Sequence, residues 1–401
     1  MISYRQRKTL ETILRKSPDL LSNIFIDLIN PFRVKNVKKN INPKWITLFI
    51  TNYCSARCGH CFYSKELNNK IEELNFNNLK KIFSSLKKPL NTLRVTGGEP
   101  FLNKNTEDFF SFIDEKKISK KFALTSHGMI PNLNKRVEKM INSSSNIQLH
   151  IGISLDGLEK THNDFRKIKN GFQLAIKHLI DFKKLAEKNP RFTFSTTTSL
   201  IRKICSKDSY DGKIELFELL EYLTKEIGVE TKGFDHVRSV ENDVFNVPKK
   251  LMSTFGLPPK AEEAINRKHT RADDVQLSLE EIEDVNLSLK KSGYLSNDYL
   301  TMRRLEIEHE ILKNKKRLVD CLAGYVDCVI YPSLDVSVCE STKPFANLRE
   351  YDFDLIKLLE SQDAIETRNL TRNCSCTHPC HLSDSLAYDK KFLKEYFSKK
   401  K

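Results

Sequence analysis

No apolar run in the 401 residues approaches the roughly 18–20 that a membrane-spanning helix needs. The first residues, Met1 to Lys8, lead into a mixed polar and apolar pattern. They lack the compact apolar core and small-residue cleavage site of a signal peptide. Neither a membrane-spanning nor a secreted protein is expected, and the chain reads as cytoplasmic. No long internal repeat is present, so a repeat architecture is not expected. A basic motif interleaved with aromatics is also missing, although Lys and Arg outnumber Asp and Glu by 67 to 52. The resulting formal charge of +15 could attract nucleic acid, anionic lipid or an acidic peptide. Without such a motif it reads as Lys- and Asn-rich solvated helix faces, and nucleic acid is not the expected partner.

What the chain does have is cysteine. Ten occur, at 54, 58, 61, 205, 321, 328, 339, 374, 376 and 380. In a large cytosolic chain, clustered cysteines bind metal or do catalysis more often than they form disulfides. Nine fall into two groups, one near each end. Cys205 stands alone and reads as a buried, inert thiol.

The length suffices for a barrel-sized domain and a smaller one. Residues 1–43 read as an N-terminal helical arm. Within it, segment 18–32 carries a wide apolar stripe, which could dock on a membrane but more often packs on a neighbouring domain. From 44 to 239, strand and helix signals alternate. Strands are predicted at 46–50, 92–96, 121–125, 148–154, 192–198 and 229–236, with helices at about 75–88, 106–118, 132–142, 171–188 and 213–226. Such alternation means crossover connections and a parallel sheet. The fold class is α/β, and six strands suit a partial (β/α)6 TIM-type barrel, whose chemistry gathers at the C-terminal strand ends. Residues 240–320 are charged and helical, an insertion that could cap the barrel mouth or act as a spacer. Its Ser278-Leu-Glu-Glu281 stretch is a capping-box helix start. Residues 321–385 read as a small, loop-rich, cysteine-rich domain, and 386–401 as a basic tail expected to fray.

Cys54, Cys58 and Cys61 stand in C-x₃-C-x₂-C spacing. Three thiolates can converge on one cluster only if the chain loops tightly, and Gly59 helps it do so. Thiolates are the usual ligands of iron–sulfur clusters. Four would close a cubane, whereas three leave one iron open for a cosubstrate. A zinc site with His60 as fourth ligand is the alternative. The segment resembles the signature of the radical S-adenosylmethionine (SAM) superfamily. That resemblance implies a [4Fe–4S] cluster whose open iron binds SAM, cleavage of SAM to a 5′-deoxyadenosyl radical, and hydrogen abstraction from a substrate. It puts His60 near the adenine, where an aromatic residue is usual.

Other strand ends support the resemblance. Gly97-Gly98-Glu99-Pro100 resembles the GGE motif that binds the SAM amino group; its glycines would let the backbone approach a ligand closely. Thr125-Ser126-His127-Gly128 is similar to the family's T-N-G turn, which makes Ser126 a cofactor contact, with His127 in place of Asn and read as structural or solvent-facing. Ser154-Leu155-Asp156-Gly157, followed by His162 and Arg166, resembles the stretch in which the serine faces the SAM ribose and the arginine the SAM carboxylate. His162 reads as structural. Asp235-His236-Val237-Arg238 ends the sixth strand, as either a substrate contact or a surface cluster.

The second cysteine group resembles the SPASM/Twitch extensions of that superfamily. The matching features are Cys321-Leu-Ala-Gly324, the hairpin Tyr331 to Cys339, and Cys376 to Cys380. Leu334 replaces a usual hairpin glycine. Six cysteines are too few for two fully ligated clusters, so one auxiliary [4Fe–4S] cluster is expected. Its ligands are expected to be Cys321, Cys339, Cys376 and Cys380, with Cys328 and Cys374 in reserve; a Cys₄ zinc site is the alternative.

The resemblance implies an enzyme that modifies a peptide or protein, with an electron donor such as flavodoxin or ferredoxin. Residues 1–43 are too short for a leader-binding winged helix. Small-molecule chemistry on a nucleotide, cofactor precursor, sugar or lipid headgroup is the alternative. The branch that rearranges GTP ends in Gly-Gly, whereas this chain ends in Lys399-Lys-Lys401, which sets it apart. A non-catalytic iron–sulfur or zinc protein that binds RNA is a third reading, against which Gly97, Gly98, Glu99 and Ser154 argue.

Overall fold

Six short segments with apolar residues at every second position decide the architecture. The structure, a computed structural model, describes residues 19–71, 74–206, 214–229, 231–237, 244–253, 275–295 and 298–399. A long first helix, α1 (Asp19–Lys39), leads into β1 (Trp45–Thr51). Strands β2 (Thr92–Gly97), β3 (Lys121–Ser126), β4 (Gln148–Ser154), β5 (Phe192–Leu200) and β6 (Thr231–His236) follow at the predicted places. Between them run α2 (Phe76–Ser84), α3 (Thr106–Glu115), α4 (Leu133–Ser143), α5 (Glu159–Arg166), α6 (Gly171–Lys188) and α7 (Glu215–Glu221). All six strands pair in parallel and in chain order.

Alternation sorts the two faces of this sheet. Ile46, Leu48 and Ile50 of β1, Leu93 and Val95 of β2, and Leu149, Ile151 and Ile153 of β4 join the core formed with Leu79, Phe109, Val137 and Phe182 of the helices. The other positions face inward and are mostly polar: Thr47, Arg94, Thr96, His150, Ser154, Ser195 and Thr197. A closed eight-stranded barrel fills its interior with branched apolar side chains. This sheet stays open, with β6 at one edge, and its polar interior suits a cleft.

After β6 come β7 (Val244–Phe245), α8 (Leu279–Lys291) and α9 (Tyr299–Asn314). The capping box at Ser278 and Glu281 is present in both directions. Val285, Leu289 and Leu305 pack with Leu200, Leu216 and Phe234, so this helical stretch covers the β6 edge. A covered edge cannot recruit a foreign strand. Residues 254–274 of the predicted insertion lie outside the described ones, as does Arg238.

Strand β8 (Asp327–Ile330) pairs in parallel with β1, opposite β2, and β9 (Asp335–Ser337) and β10 (Ala346–Asn347) continue the sheet antiparallel. The cysteine-rich region therefore begins as an extension of the barrel sheet. Leu334 turns the β8–β9 hairpin at φ +74°, a conformation that normally calls for glycine. Its fully buried side chain, packed in the core, offsets that strain. Further on, β11 (Ser375–Cys376) pairs with β7. Helix α10 (Pro379–Leu386) then lies across the inner face, where Asp384 receives a bidentate pair of hydrogen bonds from Arg94 of β2, 2.6 and 2.7 Å long.

Residues 390–399, expected to fray, instead form α11 (Lys390–Lys399). It is held on α1 by packing of Phe397 on Ile26 and by Lys390 and Lys394 around Asp27, at 3.2 and 2.7 Å. The stripe of α1 divides. Ser22, Ile26, Asn30 and Val37 are buried, whereas Leu20, Leu21, Ile24, Leu28 and Phe32 are exposed.

The Arg94–Asp384 pair fastens the C-terminal region to the barrel. Arg94→Ala or Asp384→Ala should each destabilise the protein by about 3–5 kcal/mol in chemical denaturation, because each leaves a buried charge unpaired. The double variant Arg94→Met/Asp384→Leu should lose less than the sum of the two.

Candidate active site

The loop after β1 holds the first cysteine group, and backbone hydrogen bonds close it. Cys61 N–H donates to the Cys58 carbonyl, Ser64 to Cys61, and Glu66 to Tyr63, at 3.1–3.2 Å, and Asn68 N–H returns to the Asn52 carbonyl at 2.9 Å. The Asn52 side chain ties the far limb through the Glu66 and Asn69 carbonyls. The loop is clipped to α5, because Arg57 and Gly59 N–H donate to the Arg166 and Phe165 carbonyls at 3.0 and 3.2 Å. Cys54, Cys58 and Cys61 are half-buried and line one cleft. Burial and their mutual charge push these thiols up, Cys54 to about 11 and Cys61 to about 12. Three such thiols become thiolates together only around added positive charge, which an iron–sulfur cluster supplies.

Two observations bear on the zinc alternative. Among the described residues, no three His, Cys, Asp or Glu side chains stand close enough to hold a single metal ion. His60 is also engaged elsewhere. Its ring stacks on Phe165 at 5.1 Å and 4°, and its Nε2 meets Ser199 Oγ at 3.1 Å. Burial lowers the imidazole to about 4, so it is neutral, and its Nδ1 is buried without a partner at the cleft wall.

Gly97 and Gly98 let another stretch of backbone come close. Gly98 N–H donates to the Thr51 carbonyl at 2.8 Å and Glu99 N–H to the Tyr53 carbonyl at 2.7 Å. A Cβ on Gly97 (φ +119°) would stand 2.4 Å from the Thr51 oxygen, and one on Gly98 2.0 Å from the Tyr53 oxygen. What approaches the glycines closely is the backbone leading into the cysteine loop. Both residues still line the cleft. Glu99 is fully buried, and its carboxylate accepts from Ser126 Oγ at 2.9 Å, His127 N–H at 3.0 Å and Phe101 N–H at 3.2 Å. Among the described residues no Lys or Arg pairs with it; its nearest ring nitrogen is His127 Nε2 at 3.3 Å, and burial lowers that imidazole toward neutrality.

Ser126 lines the cleft, but its hydroxyl is spent on Glu99. His127 is buried rather than solvent-facing. Its Nδ1 accepts from Met129 N–H at 2.9 Å, and its Nε2 meets Ser55 Oγ at 3.1 Å, which joins the cysteine loop to the β3 turn. Ser154 and Arg166 both face the cleft. Arg166 binds Asp156 through Nε and Nη2. Burial would raise the Asp156 carboxyl, but the guanidinium outweighs it and holds it at about 2. His162 is buried, lowered by burial to about 3, and accepts from Asp156 N–H, a structural place.

The facing wall comes from β6 and the C-terminal region. Asp235 and His236 line it, together with Glu340, Ser341, Cys376 and His378. His236 Nδ1 meets Glu308 at 2.9 Å, its Nε2 is buried without a partner, and Arg304 spans Glu308 and Asp235. His378 meets Glu340 at 2.8 Å. Sequence reading missed Glu340, His378, Glu308 and Arg304. The only available signal was proximity to Cys339 and Cys376 for the first two.

Of the C-terminal thiols, Cys321, Cys339, Cys374 and Cys376 act on one another most strongly. Cys321, Cys339 and Cys376 of the expected set are in this group, with Cys374, expected in reserve. Pro379 starts α10, and along it Cys380 sits among Arg94, Glu340 and Asp235 rather than among thiols. Cys374 takes its place beside Cys376. Cys328 is fully buried in the core under β8, and Cys205 is a buried thiol among apolar side chains. Beside the group, burial would lower His381; Asp327 at 2.6 Å and the Cys339 sulfur outweigh it and hold the imidazole well above its ordinary range. The cleft has a cavity volume of roughly 290 Å³ and runs from Cys54, Cys58 and Cys61 to Cys376.

Gly98→Ala should drive a methyl group into the Tyr53 carbonyl. It should destabilise the protein by about 1–3 kcal/mol in thermal or chemical denaturation and lower iron uptake on anaerobic reconstitution.

Residues 48–202 match the radical SAM superfamily. GTP 3′,8-cyclase of Aliarcobacter butzleri is 29% identical over 119 residues, 29% of this chain and 35% of that protein. Fe-coproporphyrin III synthase of Methanosarcina barkeri is 24% identical over 134 residues, 32% of this chain and 31% of that protein. The chain thus spans about a third of the length of these curated relatives. Among solved structures, Streptococcus suis SuiB bound to its precursor peptide SuiA has a TM-score of 0.54 at 16% identity, covering 82% of this chain and 68% of that one. The anSMEcpe structure with bound AdoMet has a TM-score of 0.55 at 14% identity, covering 89% and 98%. Those two share the fold. The cysteine loop at the end of the first strand and strands β2 to β5 of the open parallel sheet fall within residues 48–202, the part of the chain that is similar to the radical SAM superfamily.

Proposed function

We propose that the chain is a radical SAM enzyme that takes a hydrogen atom from a peptide or protein substrate. The observation that carries the reading is the shared cleft, with three cysteines on one wall and Cys376 of the second group on the other. Cys54, Cys58 and Cys61 would hold a [4Fe–4S] cluster, with SAM beside it. When bound, these supply reductive cleavage of SAM and a 5′-deoxyadenosyl radical.

The protein's own residues bind and orient. Glu99, buried and held by the Ser126 hydroxyl and the His127 N–H, offers carboxylate oxygens to an ammonium group at the Gly97–Gly98 turn. Ser126 and His127 aim that carboxylate. Arg166, kept cationic by Asp156, presents positive charge to a carboxylate. Ser154 offers a hydroxyl to a ribose, and His60, stacked on Phe165, offers an unpartnered Nδ1 near a base. Cys321, Cys339, Cys374 and Cys376 would hold a second, auxiliary cluster, and a small electron carrier such as flavodoxin or ferredoxin would supply electrons. Such chemistry calls for a reducing, cytoplasmic setting; no helix among the described residues is long and apolar enough to cross a membrane.

The cleft's cavity volume of roughly 290 Å³ lies at the lower end of the ~300–1,000 Å³ of ordinary small-molecule sites, so its size favours neither substrate class. SuiB, a fold neighbour, is bound to a precursor peptide. The curated relatives, named for GTP and an iron coproporphyrin, support small-molecule chemistry as the second reading.

Anaerobically reconstituted protein should hold about eight irons and, with dithionite and SAM, release 5′-deoxyadenosine. Cys58→Ala should abolish that release. Fully loaded protein that leaves SAM intact would overturn the enzyme reading. The auxiliary site has its own check: Cys374→Ala should lose about half of the bound iron, whereas Cys380→Ala should keep it. The reverse pattern would restore Cys380 to the ligand set.

A further inference from the structure

Helix α1 has two faces bearing apolar residues, and the described residues pack against one of them. Ser22, Ile26, Asn30 and Val37 are buried against α11 and the segment around Tyr388. On the opposite side Leu20, Leu21, Ile24, Leu28 and Phe32 are 46–72% exposed. Steps of four residues, 20, 24, 28 and 32, with 21 between, keep these side chains within a sector of about 120° at 100° per residue. The same sector continues into Lys35 and Lys39, both exposed. It contains no Asp or Glu. The acid that borders it, Asp27, is already tied to Lys390 and Lys394. In the sequence before the helix, Arg5, Arg7, Lys8, Arg15 and Lys16 stand against the single acid Glu11.

We propose that this face of α1 docks the protein on an anionic lipid bilayer, with the helix lying in the plane of the interface. Apolar residues followed in register by lysines match a surface that is oily at acyl depth and negative at the headgroups. A second copy of this face offers apolar area but no counter-charge for Lys35 and Lys39, so it fits less well. Geometry leaves the enzyme free to work. Helix α1 leads to the N-terminal end of β1, and Val37 packs beside Leu322 and Val326. The cleft opens at the other end, beyond Thr51, Gly97 and Ser154. The end of α1 and the cleft therefore lie at opposite ends of the sheet.

Flotation of the full chain with phosphatidylcholine vesicles, with and without phosphatidylserine, tests this. The protein should float with the anionic vesicles, remain behind with the neutral ones, and be released by salt. Leu28→Ser/Phe32→Ser and Lys35→Glu/Lys39→Glu should each lower the bound fraction about tenfold, with thermal midpoints near that of the wild type because these side chains are exposed. Lys87→Glu/Lys139→Glu, which alters charge elsewhere, should float like the wild type. Absence of flotation by the wild type, or undiminished flotation by Leu28→Ser/Phe32→Ser, would overturn the proposal. So would a concentration-dependent dimer, without lipid binding, that Leu28→Ser/Phe32→Ser abolishes; the face would then belong to a second copy.

Discussion

Two backbone hydrogen bonds, Gly98 N–H to the Thr51 carbonyl and Glu99 N–H to the Tyr53 carbonyl, set the geometry of the site. They continue the β1–β2 pairing past the end of the regular ladder, where only residues without a Cβ can come so close. Everything at the cleft floor follows. The cysteine loop leaves β1 in one direction because its first residues are pinned. Glu99 is carried into the interior on the next residue, and the β3 turn then closes on it through Ser126 and His127. His127 completes the ring by reaching back to Ser55 inside the cysteine loop. A close approach that looks made for a ligand is thus first a joint between two strands, and the ligand site is its consequence.

The two faces of the sheet divide the work. The helix-facing side is packed with Phe, Leu and Ile and supplies the apolar burial that dominates stability. The inner side holds a concentration of buried charge: Asp156 with Arg166, Arg94 with Asp384, Asp327 with His381, and Glu308 with Arg304 and His236. Buried ion pairs seldom stabilise a fold more than well-packed apolar residues would. Their gathering around one cleft therefore marks a region whose side chains are held for orientation. His162, His236, His378 and His381 each face a carboxylate or a backbone group, and the carboxylates are fixed in turn by an arginine or by N–H donors.

Much of this was legible in the sequence, and the parts that were not share a cause. Period-two patterns and the turns that end them are local, so the six strands and the first cysteine loop could be read directly. Side-chain partners are not local. The donors that occupy Glu99 come from the β3 turn, and nothing in Gly97-Gly98-Glu99 announces them. Cys380 was expected ahead of Cys374 because Cys376 to Cys380 resembles the late cysteine pair of SPASM/Twitch extensions. Pro379, which starts a helix there and turns that sulfur toward Arg94, was visible, but Arg94 as its neighbour required the fold. Likewise, the tail 390–399 is basic and unremarkable by composition. It is ordered because Asp27 and Ile26 on a distant helix meet it.

The region 321–385, read from sequence as a small domain of its own, is stitched to the rest of the chain at three places. Strand β8 adds to β1, β11 pairs with β7, and α10 is fastened to β2 through Arg94 and Asp384. These joints touch different strands, so the region cannot swing away from one without straining another. The cleft they enclose has walls from both halves of the chain, with Cys54, Cys58 and Cys61 on one and Cys376, Glu340 and His378 on the other. Neither half contains the cleft by itself. A substrate entering it meets the cysteine loop and the second cysteine group together, and their separation is set by the sheet rather than by any flexible link. Were each cysteine group to hold a cluster, as proposed, their chemistry would depend on such a fixed distance, and β8, bonded to β1, would set it.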